Sequence, residues 1–101
     1  MIAHKGENVI IGSVFKPING SFNLADYEIV CKVTDVKGNT KLTFTIGDEV
    51  VVRNNKDNTV ACTIVGSKTA KMSGLYFVSF ELWAQDQMVL SNEVEQLTII
   101  D

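Results

Sequence analysis

The stretch Leu75-Tyr76-Phe77-Val78-Ser79-Phe80-Glu81-Leu82-Trp83-Ala84 decides the fold class. Tyr76, Val78, Phe80 and Leu82 recur at a spacing of two, with Ser79 and Glu81 between them. A strand sends alternate side chains to opposite faces, so the first four share one buried face and the polar pair looks to solvent. This is the longest strand the chain predicts. After it, Gln85-Asp86-Gln87 reads as a hairpin turn, and Met88 to Ile100 returns as a final strand with a bend near Ser91-Asn92. Before it, Ser67-Lys68-Thr69-Ala70-Lys71-Met72-Ser73-Gly74 breaks the alternation. A Ser at the N-cap, good helix formers and a terminal Gly predict a single helical turn over residues 69–73.

The same period continues toward the N-terminus. Thr59 to Val65 places Val60, Cys62 and Ile64 inward, and Lys41 to Ile46 does the same for Leu42, Phe44 and Ile46. Glu28 to Thr34 turns Ile29, Cys31 and Val33 inward and leaves Glu28, Lys32 and Thr34 outside. Asn8 to Phe15 is β-prone with imperfect alternation, as a first or edge strand would be. Turn chemistry separates these runs: Asn19-Gly20 beside the sole proline Pro17, the Asp35–Asn39 segment, Gly47-Asp48 before a short strand from Glu49 to Arg53, and the polar loop Asn54–Asn58. About seven short strands without an internal repeat predict an all-β immunoglobulin-like antiparallel sandwich, with a small barrel as the alternative. Nothing divides residues 1–101, so one domain is expected.

Composition narrows the function classes. The chain has 101 residues, 46% hydrophobic and 21% charged, which suits a packed core. Nine Lys plus Arg against twelve Asp plus Glu give a formal net charge of −3. Phosphate neutralisation calls for a basic excess, so a nucleic-acid partner is not expected. No apolar run approaches the roughly 20 residues a membrane helix needs, and a membrane partner is not expected either. Met1 to Glu7 has no secretory apolar region and leads straight into strand-like sequence, so export by a signal peptide is not expected.

The residues available for chemistry are few. Cys31 and Cys62 both fall on inward strand faces. A bridge between sheets is one reading, but Trp83 does not lie between them as the antibody-type tryptophan does, and a cytoplasmic setting keeps thiols reduced. Buried free cysteines are the expectation. A metal site would need about four grouped ligands, and none is expected. Asp48, Glu49, Glu81, Asp86, Glu93 and Glu95 could in principle pair for acid/base work, but nearly all fall in turns or at outward strand positions, as solvated charge does. The single histidine, His4, lies near the terminus, so a Ser-His-Asp arrangement lacks its base. Neither a phosphate-binding nor a dinucleotide-binding glycine motif occurs. The chain therefore reads as a non-enzyme without a cofactor.

If Tyr76 to Leu82 face the core, then Leu75, Phe77 and Trp83 face outward on the same strand, and Ile10, Val30 and Val65 are outward elsewhere. An aromatic-containing outer patch marks a protein interface, or else it is covered by a loop or its faces are exchanged. Leu75, Phe77 and Trp83 are the candidate interface residues, with Trp83 the best anchor.

Several segments resemble immunoglobulin-like modules of bacteriophage tails and baseplates, including those of the baseplate upper-protein type. Phe22-Asn23-Leu24-Ala25-Asp26-Tyr27-Glu28-Ile29 is similar to the "hydrophobic, Asp-Leu-Thr-Gly-Tyr" lead-in to their second strand, with Ala25-Asp26 standing where Thr-Gly is usual. Thr69-Ala70-Lys71-Met72-Ser73-Gly74-Leu75-Tyr76 matches their Thr-Ala-x-x-x-Gly-x-Tyr element, and Phe80-Glu81-Leu82 resembles its Tyr-Glu-Leu continuation. His4-Lys5-Gly6-Glu7 resembles their Lys-Gly-Asp/Glu opening. The resemblance spans nearly the whole chain and implies no active site. It implies a virion component or prophage remnant, assembled in the bacterial cytoplasm and released by lysis. Its partners would be other tail proteins or copies of itself.

Two rival readings remain open at this point. A carbohydrate- or cell-surface-binding sandwich would stack Trp83 or Phe77 on a sugar, and aromatics grouped with Asn, Gln or Asp in a loop-rimmed groove would favour it. An adhesion or pilus-like module would need export.

Overall fold

The alternating segments become eight strands in two facing sheets, seen in a computed structural model that describes residues 1–15, 23–45, 51–54 and 56–101. Strands β1 (Ile2–His4), β8 (Gln87–Ile100), β7 (Gly74–Ala84), β3 (Glu28–Asp35) and β4 (Thr40–Thr45) form one sheet in that order. Strands β2 (Val9–Val14), β6 (Thr59–Ile64) and β5 (Val51–Asn54) form the other. The fold is an all-β sandwich. The Asn19-Gly20 turn beside Pro17, Phe22 of the lead-in, the inward place of Ile46, the Gly47-Asp48 break, the strand start at Glu49 and Asn55 of the polar loop lie outside the described residues.

The core is built from the inward registers read from the sequence. Ile29, Cys31 and Val33 of β3 meet Leu82, Phe80 and Val78 of β7 as direct cross-strand neighbours, and all six are fully buried. Val60, Cys62 and Ile64 close the core from the facing sheet. Leu24 fills one end of it from a short 3-10 turn (Leu24–Asp26), whose Ala25 N–H donates to the Asn23 side chain at 3.0 Å. The β3–β4 turn is held by Asp35 Oδ1, which accepts from the N–H groups of Lys37 and Asn39 at 2.9 Å each. Those bonds, with that from Asn39 the foremost, hold the Asp35 carboxyl below its ordinary pKa.

Three expectations are corrected. First, one strand pair is parallel. Ile2–His4 pairs in parallel with Thr98–Ile100, so the sandwich is not wholly antiparallel and His4 belongs to a strand. The terminal ammonium reaches Glu95 Oε1 at 3.2 Å and the Gln96 backbone oxygen at 2.9 Å, and Lys5 pairs with Asp101 at 3.1 Å. Second, the helical turn is α1 (Gly66–Thr69), earlier than residues 69–73, and Ser67 lies inside it; its N-cap is Val65 without a side-chain cap bond. Third, the β7–β8 turn contains only Gln85 and Asp86, since Gln87 already pairs with Ala84. Both turn residues have positive φ, 52° and 63°, as a two-residue type I′ hairpin requires. At Ser91-Asn92, where a bend is expected, β8 stays in register with β7, and its irregularities flank that point, one opposite Val78/Ser79 and one opposite Leu82/Trp83.

Candidate functional site

Leu75, Phe77 and Trp83 stand on the outer face of β7, as read, but each is half-buried. The register places Leu75 beside Thr98, Phe77 between Thr34 and Gln96, and Trp83 between Glu28 and Met88. Ser79 and Glu81 separate Phe77 from Trp83 along the strand. Glu81 pairs with Lys32 at 3.2 Å and accepts from the Trp83 indole N–H at 3.0 Å. The three residues therefore do not merge into one apolar patch. A polar centre divides the face.

Trp83 instead lines a cleft of about 590 Å³ at the hairpin end of the sandwich, together with Ala25, Asp26, Tyr27, Glu28, Arg53, Ala84, Gln85 and Asp86. Three elements build it: the lead-in to β3, the β7–β8 hairpin and β5. Arg53 ties β5 to the lead-in of β3 here, donating from Nη1 to the Tyr27 backbone oxygen at 3.1 Å.

A second outer surface, free of charge, lies on the other sheet. Ile10 and Val14 of β2 are 66% and 52% exposed. Across the strand pair they lie beside Thr63 and Thr59, and Gly12 lies beside Ala61. None of these residues is charged. The edge strands also differ in how they are guarded. An open edge offers unpaired N–H and C=O groups, and shortness, charge or inward-pointing charge discourages a second chain from pairing there. Strand β1 has three residues, β4 carries Lys41, and β5 carries Arg53 at a position paired with the buried Val60. Strand β2, Val-Ile-Ile-Gly-Ser-Val, carries no such guard. Toward its C-terminal end β8 approaches, with Asn92 Nδ2 donating to Ser13 Oγ at 3.4 Å.

Two of the segments that carried the resemblance come together. Thr69, a fully buried polar residue, donates from Oγ1 to the Glu7 backbone oxygen at 2.7 Å and accepts from the Gly6 N–H at 3.1 Å. Asn8 Oδ1 accepts from the Gly66 N–H at 2.7 Å. The Tyr76 hydroxyl accepts from the Ser73 N–H at 3.0 Å, across the corner where Gly74 takes a φ of +89°. The opening Gly6-Glu7 and the Thr69–Tyr76 element thus form one structural corner.

Cys31 and Cys62 are buried thiols that hydrogen-bond to each other across the core and are not joined in a disulfide. Hydrogen bonding to Cys62 and then burial push the Cys31 thiol above its ordinary range, so it stays protonated and is a poor nucleophile. Among the described residues, no three His, Cys, Asp or Glu side chains are grouped as metal ligands. No protein-family model and no curated protein matches the chain.

Proposed function

We propose that the domain is a non-catalytic packing module of a bacteriophage or prophage tail or baseplate, working through protein–protein contacts on the β2 side of its three-stranded sheet. The observation that carries this reading is the unguarded, uncharged edge and face of β2. Interface cores are depleted in charge, and an apolar edge left open invites strand pairing, so such a surface suits a subunit that is covered in its assembly. The occupants are neighbouring virion subunits, beginning with copies of the same chain. Assembly takes place in the bacterial cytoplasm, where the two core thiols stay reduced.

Strand order supports an immunoglobulin-type sandwich. With the strands lettered A, B, C, C′, D, E, F and G in chain order, the sheets read A-G-F-C-C′ and B-E-D. Cys31 and Cys62 then occupy C and E, whereas an antibody bridge joins B and F.

Ile10→Lys and Val14→Lys place charge on this face at exposed positions, where stability should stay within about 0.5 kcal/mol of the parent. Light scattering over a micromolar concentration series should show self-association of the parent chain and a monomer for the double variant. A parent that stays monomeric throughout, or a lysine variant that associates equally well, would refute the reading.

A further inference from the structure

We propose that the Trp83 cleft is a binding site for a short stretch of uncharged glycan. The indole N–H is already committed to Glu81, and Glu81 is itself paired with Lys32. The ring is therefore held in place before any ligand arrives, and what it offers is carbon surface. The C–H faces of a pyranose stack on such a surface.

The rest of the wall supplies directional polar groups. Asp26, Glu28 and Asp86 provide carboxylate acceptors, Gln85 an amide with both donor and acceptor, and Arg53 a guanidinium. Neighbouring sugar hydroxyls both donate and accept, so they can satisfy both kinds of group. The volume, about 590 Å³, falls within the range of small-molecule sites. Three carboxylates against one guanidinium oppose an anionic ligand. The carboxylates would draw a cation, but a ligand with donors alone would leave Arg53 and the amide donors of Gln85 without acceptors. A neutral polyhydroxylated ligand fits the whole lining.

The hairpin gives a second, independent indication. Gln85 and Asp86 hold φ angles of 52° and 63°, where glycine, asparagine or aspartate is the usual residue and glutamine is not. Left-handed backbone costs an L-residue such as Gln about 1 kcal/mol or more. Gln85 keeps a long side chain at that cost, whereas Asp86 tolerates the region, and both line the cleft. Strain retained in this way is typical of residues that touch a ligand.

This site is separate from the β2 surface and does not depend on it. Trp83 is the only tryptophan in the chain, so its emission reports on the cleft directly. The intact protein would be titrated with maltotriose, chitotriose and mannotriose, with sialyllactose and spermidine as charged probes. It would also be applied to a printed array of bacterial polysaccharides. At least one neutral glycan should bind saturably, and Trp83→Ala and Asp86→Ala should weaken array binding at least about tenfold. Gln85→Gly should lose binding while its Tm stays level or rises, a combination that a purely structural role for Gln85 would not give. The proposal is overturned if no neutral glycan binds above the Trp83→Ala background, or if sialyllactose or spermidine binds in preference. Neither outcome bears on the self-association of the β2 face.

Discussion

Gly66→Ala should destabilise the domain by about 2–3 kcal/mol, although it adds one methyl group to a surface turn. The added carbon would overlap the carbonyl oxygen of Gly6. That oxygen belongs to the backbone, in a turn tied down on both sides by Thr69 and by Asn8, so it has no flexible end to swing away. The turn at Lys5–Asn8 would have to lift off α1. Thr69→Val tests the same corner from its polar side: it leaves the Gly6 N–H and the Glu7 carbonyl without their partner, at about 2 kcal/mol. Because both changes break one contact, the double variant should cost less than the sum of the two. Ser67→Ala, at the exposed residue inside α1, should change little. Urea unfolding of the parent and the four variants decides the matter. A Gly66→Ala protein as stable as the parent would show that the N-terminal turn is not seated on α1.

Phe80→Ala should cost more still, about 3–5 kcal/mol, with a fall in Tm on the order of 20 °C. Phe80 is fully buried, between Cys31 on β3 and Asn92 on β8 in the register, and its removal opens a cavity at the centre of the five-stranded sheet. Phe77→Ala is the informative comparison. It is the same chemical change three residues away on the opposite face, and it should cost less than about 1.5 kcal/mol. A one-residue slip exchanges the two faces of a strand. Equal costs, or a larger cost at Phe77, would therefore mean that β7 presents its other side to the core. Calorimetry of both variants reads this directly.

The strands legible in the sequence share one physical feature. Strands β3, β6 and β7 each bury one face against the facing sheet, and a period of two records that burial locally. Strand β1 was not legible because three residues carry no usable period and its partner, Thr98–Ile100, lies at the far end of the chain. The placement of α1 failed for a related reason. Its first N–H finds an acceptor in Asn8, not in a neighbouring serine, so the local capping pattern at Ser67 pointed one turn too late. Candidate residues fared unevenly. The outward face of Leu75, Phe77 and Trp83 followed from alternation alone. That Trp83 lines a cleft did not, since the cleft also needs Arg53 from the other sheet and the twist of a two-residue hairpin. The β2 surface was visible only as an outward Ile10. Its significance depends on which strands are edges, and strand order is not written in local periodicity.

Peptide-resolved hydrogen exchange across a concentration series tests the proposed packing surface most directly. Edge amides of residues 9–14 should become protected as association proceeds, while those of the lysine-guarded edge at residues 40–45 keep their exchange rates. Protection that rises at residues 40–45 and leaves residues 9–14 unchanged, or no concentration dependence at either edge, would contradict the account.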